Sequence, residues 1–310
     1  MKVHVIHENP DWYAPLAAAF DAGGVPHEQW LLDGGLLDLD APPPGGVFWS
    51  RMSASSHTRG HGLAKDYARA VVCWLESHGR RVVNGRRVLE LEVSKVDQLT
   101  ALRAAGFDVP RTIAVTGRDE LVPAARKLPV PFITKHNQGG KGLGVRRFDN
   151  HEAFAAYVGS RDYSAAVDGI TLLQEYVQAA EPFITRVEIV GREFVYAITA
   201  DTDRGGFELC PADACGVDAE KGPAGELFAL RDGFDHPIVG RYLDFAHRTG
   251  IEIAGFEFIE AADGRIVTYD VNTTTNYSAA IEAVARRPAL RAVARFLGRL
   301  LAEEAGKGPG

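Results

Sequence analysis

Two periodicities of apolar residues alternate along the first ninety positions. Short β-branched and aromatic runs predict four strands, at residues 2–7, 31–32, 47–49 and 82–83. Helical spacing of apolar residues predicts helices over 11–22 and 67–78, each followed by glycine. Strands that alternate with helices are typical of a parallel, doubly wound α/β sheet.

The pattern after residue 92 mixes helices with antiparallel hairpins. Ser94 is placed as the N-cap of a helix that ends near residue 105. Polar turns join apolar runs over 185–199 and 253–271, which predicts two hairpins. The remaining expected elements are helices at 120–128, 152–158, 238–248 and 279–303 (broken near Pro288), and strands at 113–115, 132–135 and 172–177.

Composition narrows the class of protein. The 310 residues are 46% hydrophobic and 24% charged, with a net charge of −7, which predicts a sizeable core and disfavours nucleic-acid or membrane-surface partners. We see no signal-peptide pattern and no apolar run long enough to span a membrane. Three cysteines do not make a disulfide framework, so we expect a reducing, cytoplasmic setting. Cys210 and Cys215 are interpreted as ordinary thiols, with a metal or redox pair as the alternative.

A glycine-rich segment carries the first chemical signal. Phe132, Ile133 and Thr134 lead into Lys135, and a loop with four glycines follows. Glycine backbone can approach an anion closely, and lysines add positive charge, so the segment suits a flexible lid over a polyphosphate. It is not a P-loop, because GxxxxGK[ST] is absent. The alternative is a glycine-rich hairpin turn.

The second signal is acidic. Glu257 lies between apolar residues of one expected strand, and Asp270 and Asn272 end the next. Strand alternation directs Asp270 and Asn272 to one side, and a hairpin brings Glu257 opposite them. Such oxygen donors suit Mg²⁺, which is held by one or two carboxylates together with substrate phosphates. The alternative is an edge hairpin with solvated acids.

The order of these features resembles the ATP-grasp superfamily. Within it, the chain is most similar to the glutamate-ligase branch, which includes the RimK-like ligases and the prokaryotic glutathione synthetases. The resemblance extends from about residue 47 to residue 272, and Arg51 falls where those ligases carry an arginine. Its motifs are Ser94-Lys95, Lys135 with the glycine loop, Gln174-Glu175-Tyr176-Val177, Arg186, Glu257 and Asp270-Val271-Asn272.

The resemblance implies an ATP-grasp fold of three units. These are an N-terminal α/β domain over residues 1–92, a small lobe with the glycine-rich lid over 93–177, and a C-terminal lobe with the metal site over 178–310. ATP, with Mg²⁺ or Mn²⁺, would lie between the two lobes. The residues implied to bind the nucleotide are Lys95, Lys135, Gly139, Gly140, Lys141, Gly142, Gly144, Gln174, Glu175, Tyr176, Val177 and Glu181.

The resemblance also implies a metal site and a substrate site. Glu257, Asp270 and Asn272 would hold the metal, while Arg186 and Lys135 would act in catalysis. Arg51 and Arg186 would face the substrate. Asn276 would either touch the acceptor or cap the final helix.

Three stretches depart from the family pattern. Ile184-Thr185-Arg186 lacks the acid of the family's Asp-Ile-Arg, a role that stays open for Glu181. Residues 200–215 do not match the segment that reads the acceptor, and threonines replace the small residues and glycine expected at 273–275. These departures lie where substrate would bind, so they leave its identity open.

The leading hypothesis is an ATP-dependent ligase that joins a carboxylate to an amine or thiol through an acyl phosphate. Its partners would be small-molecule or peptide carboxylates and amines, with no nucleic acid and no membrane, and a homo-oligomer is compatible with this class. The alternatives are a kinase that acts on a small molecule and a non-catalytic nucleotide-binding protein. No GxSxG or HExxH motif indicates another chemistry.

Overall fold

A computed structural model describes residues 1–140, 142, 144–206 and 227–307. Lys141, Cys210 and Cys215, which the sequence analysis singled out, lie outside the described residues. Within the described ranges, no helix has both the length and the apolar character needed to cross a bilayer.

The N-terminal unit is a four-stranded parallel sheet with helices on both faces. Its elements are β1 (Lys2–His7), α1 (Pro10–Ala22), β2 (His27–Leu31), β3 (Gly46–Ser50), a 3-10 helix (Ser56–Arg59), α2 (Ala64–Ser77) and β4 (Arg81–Val83). The strand order is β2-β1-β3-β4. Alternate β1 residues point to opposite faces, so Val5 packs in the cluster with Phe20 of α1 and Ile6 in the cluster with Val71 of α2. The predicted doubly wound sheet is confirmed.

The middle unit is an antiparallel sheet with order β5-β8-β6-β7. Its elements are α3 (Arg86–Val93), α4 (Lys95–Ala104), β5 (Thr112–Thr116), α5 (Arg118–Ala125), β6 (Phe132–His136), β7 (Arg146–Phe148), α6 (His151–Gly159) and β8 (Ile170–Glu175). The predicted cap at Ser94 is present, since its side chain accepts a hydrogen bond from the Asp97 N–H. That cap positions Lys95 as the first residue of α4.

The C-terminal unit is built on a five-stranded antiparallel sheet with order β11-β10-β9-β12-β13. Its elements are β9 (Phe183–Val190), β10 (Glu193–Asp201), α7 (Thr202–Gly205), β11 (Phe228–Leu230), α8 (Ile238–Thr249), β12 (Ile253–Glu260), β13 (Ile266–Asn272), α9 (Ala279–Val284) and α10 (Ala289–Gly306). Both predicted hairpins are confirmed. Val293 and Leu297 of α10 share one buried cluster with the N-terminal sheet and with β9 and β10, so the last helix joins the two units.

Two sequence expectations need correction. The strand expected at 31–32 lies mostly earlier, at His27–Leu31. The helix Arg86–Val93 was not expected, because Leu89, Leu91 and Val93 alternate with polar residues as they would in a strand. Its apolar residues divide between two buried clusters, so tertiary packing overrides the local period.

Candidate active site

One cavity of about 770 Å³ lies where the three units meet. The sheet of the middle unit, the sheet of the C-terminal unit and the loop after β3 all contribute to its wall. The structure brings most of the sequence-proposed residues to this wall, namely Lys95, Lys135, Gly139, Gly140, Gly142, Gln174, Glu175, Tyr176, Val177, Glu181, Arg186, Glu257, Asp270, Asn272 and Asn276. Arg51 and Gly144 are described but do not line it.

Lys95 and Asp270 form an ion pair although 175 positions separate them. The Lys95 ammonium lies 2.6 Å from an Asp270 carboxylate oxygen. Burial lowers the pKa of Lys95, but Asp270, Glu92 and Glu257 outweigh that effect and raise it. Burial raises the pKa of Asp270, but the positive charges of Lys95 and Lys135 outweigh this effect and lower the pKa. Both partners are therefore charged at neutral pH.

Lys135 is a buried lysine without an ion pair among the described residues. Its side chain comes from β6, is 9% exposed, and has its ammonium 5.1 Å from the centre of the Tyr269 ring. Burial and then the charge of Lys95 lower the pKa of Lys135 to about 8. Asp270 and Glu257 oppose this lowering only in part. A buried ammonium without an ion-pair partner favours an anionic ligand, such as a phosphate group.

Glu257, Asp270 and Asn272 lie together as the hairpin geometry predicts. Glu257 pairs with Asp270 across β12 and β13, and the Asn272 amide donates to a Glu257 oxygen at 3.0 Å. Burial raises the pKa of Glu257, Arg186 opposes that rise, and Asp270 adds to it. Within the part of the chain that the structure describes, no three acidic, histidine or cysteine side chains cluster. Two carboxylates and an amide oxygen fit Mg²⁺ or Mn²⁺, which complete their shells with water and phosphate.

Three side chains of the protein hold the Arg186 guanidinium in place. Its Nε lies 2.6 Å from Glu188 and its Nη1 lies 3.0 Å from Glu257, while Nη2 donates to the Thr275 hydroxyl. Burial lowers the pKa of Arg186, but the two carboxylates outweigh it and the net pKa is raised. The side chain can therefore reach a substrate only with the donor hydrogens that these bonds leave free.

Arg51 lies behind the wall and fixes part of it. The side chain follows β3, as predicted, and is buried. It donates to the Thr275 carbonyl at 2.7 Å and to the Asn276 side-chain oxygen at 3.0 Å. Burial lowers the pKa of Arg51 to about 10. The helix-cap alternative for Asn276 is wrong, because Ser278 is the N-cap of α9.

Sequence reasoning missed two carboxylates that explain the unusual threonines. Glu92 accepts from the Thr273 N–H and hydroxyl and from the Thr274 hydroxyl, each at 2.8 Å. Glu188, 1% exposed, accepts from the Thr275 hydroxyl at 2.9 Å. Strand alternation puts Glu188 on the same side as Arg186 and was a usable signal. Nothing in the local pattern of Glu92 indicated this role.

The segment around residue 176 forms an edge of the cavity. The Gln174 amide donates to the Thr112 hydroxyl at 2.9 Å, and Glu175 pairs with Arg265 at 3.1 Å. The Tyr176 N–H donates to the Pro131 carbonyl, whereas the Val177 N–H has no backbone acceptor among the described residues. Glu181 is exposed at the same edge. The backbone N–H of Val177 is thus available for a hydrogen bond to a flat polar ligand.

Three described glycines of the loop, Gly139, Gly140 and Gly142, line the cavity. Gly142 and Gly144 have φ of +73° and +70°, which side-chain-bearing residues rarely adopt. The loop touches the N-terminal unit, since a Cβ on Gly140 would lie 3.3 Å from the Ser55 Cβ. The Thr134 hydroxyl donates to the Gly144 carbonyl at 2.9 Å and holds the loop to β6.

Comparison with known proteins identifies the fold. No protein-family model matches the sequence, and the comparison with curated proteins finds no match. Among solved structures, the chain is similar to a RimK-domain ATP-grasp protein from Sphaerobacter thermophilus, with 18% identity, a TM-score of 0.69, and coverage of 96% of this chain and 99% of that one.

Two further structures agree. D-cycloserine synthetase DcsG gives 16% identity and a TM-score of 0.65 over 96% of this chain and 99% of that chain. The ATP-grasp ligase PsnB, complexed with a minimal precursor, Mg and ADP, gives 14% identity and a TM-score of 0.64 over 95% and 96%. The chain therefore has the ATP-grasp fold, as its motifs predicted.

Proposed function

We propose that the chain is an ATP-dependent ligase that joins a carboxylate to an amine or thiol through an acyl phosphate. One observation carries the proposal: Lys95, Lys135 and the oxygen-rich group of Glu257, Asp270 and Asn272 converge on one cavity. The unpaired charge of Lys135 supplies a site for a phosphate, and the acidic strands supply metal ligands. The ATP-grasp fold supports this assignment.

The reaction needs positive charge more than a protein nucleophile. A carboxylate oxygen takes the γ-phosphoryl group as the bond to ADP breaks. The amine nitrogen or thiol sulfur then attacks the acyl carbon, phosphate leaves, and the nucleophile's proton passes to solvent. Lys95 and Lys135 would stabilise the phosphate oxygens, and the glycine loop would exclude water. Mg²⁺, held by Glu257, Asp270 and Asn272, would offset further negative charge.

The substrate would be an amino acid, a peptide or another small acid. PsnB is described with the precursor peptide PsnA2, and the macrocyclase MdnC from Microcystis aeruginosa with the precursor peptide MdnA. We extend this peptide partner to the chain as part of the proposal, together with ATP and Mg²⁺ as cofactors. The threonine-lined turn after β13 and the loop after β3 form the wall that would select the substrate.

Incubation with ATP, Mg²⁺ and a panel of acids and amines should release ADP and phosphate and yield an amide or thioester of the expected mass. A kinase would instead leave a stable phosphorylated product and free no phosphate. If the protein binds no ATP, the proposal fails.

Glu257→Gln should lower turnover by about 10²–10³-fold, the range seen when a preorganised charge-stabilising group is removed. Glu260→Gln is the matched control, because Glu260 lies on the same strand but pairs with Arg231 away from the cavity. Unchanged turnover in Glu257→Gln would contradict the metal-binding role proposed for Glu257. ATP binding without turnover in the unsubstituted protein would favour a non-catalytic nucleotide-binding protein.

A further inference from the structure

The strand order of the N-terminal sheet reverses at β1, where the sheet meets the cavity. β2 and β3 lie on opposite sides of β1, so the carboxyl ends of β1 and β3 flank a crevice. Ligands of open parallel sheets bind in such crevices. Here the loop after β3 lines the shared cavity through Ser53, Ala54 and Ser55, next to Trp12 of α1.

Two buried serine hydroxyl groups on this wall carry two hydrogens, but the described residues offer an acceptor for only one of them. Ser53 and Ser55 are 6% and 2% exposed, and their hydroxyl oxygens lie 2.9 Å apart. The Ser53 oxygen accepts from the Ser55 N–H at 3.1 Å, and the Ser55 oxygen accepts from Arg59 at 3.2 Å. One hydroxyl donates to the other, whichever way the pair is oriented. The second hydrogen has no acceptor among the described residues, and leaving it unpaired in a buried site is unfavourable.

The charges behind the serines favour a negative acceptor. Arg59 holds the buried Glu8 at 2.5 and 3.0 Å, and its guanidinium lies 4.7 Å from the Trp12 ring centre. Lys65 is 4% exposed, has the Ala54 carbonyl as an acceptor at 3.5 Å, and forms no ion pair with a described carboxylate. Arg59 is thus paired with Glu8, whereas Lys65 adds a buried positive charge that Asp168 and Asp66 attract only from beyond ion-pair distance.

The glycine loop places the serines next to the proposed site of phosphoryl transfer. Gly140 packs against Ser55, and Gly139 and Gly140 line the same cavity as Lys95 and Lys135. An anionic oxygen at the serines would therefore lie beneath the lid and beside the phosphates. It could belong to an acid substrate or to the nucleotide. The acid is favoured, because Lys95, Lys135 and the lid already surround the phosphate position.

We propose that Ser53 and Ser55, supported by Arg59, bind the carboxylate group that this enzyme phosphorylates. The inference rests on the proposed function and names the part of the wall that holds the acid. The spare hydroxyl hydrogen donates to one carboxylate oxygen, and Arg59 and Lys65 stabilise the negative charge from behind. Arg59 is a positioning residue here, because it acts through the Ser55 oxygen.

The test measures carboxylate binding in protein loaded with Mg²⁺ and AMPPNP. Acetate, succinate and L-glutamate are titrated at millimolar concentrations by calorimetry into the unsubstituted protein and into Ser53→Ala, Ser55→Ala and Ser56→Ala. Ser56 is the matched control, since it is a buried neighbour whose hydroxyl does not line the cavity. We expect the tightest carboxylate to bind about tenfold more weakly to the Ser53 and Ser55 variants, as for loss of a charge-assisted hydrogen bond. AMPPNP affinity and the Ser56 variant should not change.

Four results would overturn the inference. Equal carboxylate binding in all four proteins would show that the serines do not hold the acid, as would absence of carboxylate binding by the unsubstituted protein. Weaker AMPPNP binding by the Ser53 and Ser55 variants would assign the contact to the nucleotide. An equal loss in Ser56→Ala would show that the loop has only a structural role. Failure of the unsubstituted protein to bind AMPPNP would contradict the proposed function itself.

Discussion

Two lysines on one cavity wall differ in whether a carboxylate compensates their charge. Lys95 has Asp270 at 2.6 Å, so the buried pair offsets much of the desolvation cost of each partner. Lys135 has no such partner among the described residues, and burial lowers its pKa to about 8. The uncompensated charge of Lys135 therefore lowers the stability of the folded protein and leaves a cation on the cavity wall to which a phosphate can bind.

Lys135→Met should stabilise the nucleotide-free protein and weaken ATP binding. The lowered pKa, from 10.5 to about 8, corresponds to at most about 3 kcal/mol, reduced because Asp270 loses a nearby positive charge. This gain is fully present below about pH 8 and disappears as pH rises to about 10.5, because the folded lysine deprotonates near pH 8 whereas the unfolded lysine keeps its proton until about pH 10.5. Urea unfolding at several pH values measures it.

Lys95→Met is the matched comparison. It should destabilise the protein by about 3–5 kcal/mol, because it leaves the Asp270 carboxylate buried without its cation. Equal changes in stability for the two methionine variants would contradict the assignment of Lys135 as the uncompensated charge.

A close contact with a neighbouring side chain restricts the position of the glycine loop more than its backbone conformation does. Gly144 has φ of +70°, and a Cβ there would lie 2.3 Å from the His136 ring. The His136 Nε2 lies 3.1 Å from the Ser164 carbonyl and donates a hydrogen bond to it in the tautomer that carries the hydrogen on Nε2. The ring is therefore not free to move aside, and the loop position depends on the absence of a side chain.

Gly144→Ala should displace the loop and weaken ATP binding, because it adds a steric clash to the backbone strain. Gly169→Ala is the matched control, since Gly169 has φ of +75° and a methyl group added there would meet nothing within 4 Å. Both variants should lose about 1–2 kcal/mol of unfolding free energy from the backbone, and Gly144→Ala should lose more. ATP titration and urea unfolding together separate the two effects. Equal ATP affinity in both variants would contradict a lid role for this loop.

At the scale of the whole molecule, one asparagine connects the first and last units. Asn84 follows β4, is buried, and has φ of +50°. Its amide nitrogen donates to the carbonyls of Ile253 and Thr273 at 2.8 and 3.2 Å, and its oxygen accepts from the N–H of Glu252 at 3.0 Å. These bonds fix the N-terminal sheet against β12 and the turn after β13, and so hold the proposed substrate wall against the proposed metal ligands.

Asn84→Gly should destabilise the protein by about 2–4 kcal/mol, because several buried backbone groups lose their partner. Asn84→Ala should cost about 1–2 kcal/mol more, since alanine also resists positive φ. Guanidinium unfolding measures both. Arg192→Gly is the control, because exposed Arg192 also has positive φ, and it should leave stability unchanged or slightly raised. A loss of stability in Asn84→Ala alone would assign the whole effect to backbone strain.

Much of the fold follows from local pattern, and the site follows from it only in part. Strand alternation places Asp270 and Asn272 on one side, and the Ser94 cap fixes where Lys95 begins its helix. The same reasoning missed α3, whose apolar residues serve two clusters at once. It also missed Glu92, whose acceptor role depends on a turn 181 positions away.

Hydrophobic period, capping residues and glycine positions are properties of neighbouring residues, so the chain alone specifies the strands, the helices and the order of the ATP-grasp motifs. The pairing of charges is not such a property. Arg186 meets Glu257 and Thr275, and Arg51 meets Asn276, only because distant strands and loops pack together. The free energy of a buried charge depends on everything within a few ångströms of it, and that neighbourhood exists only in the folded molecule.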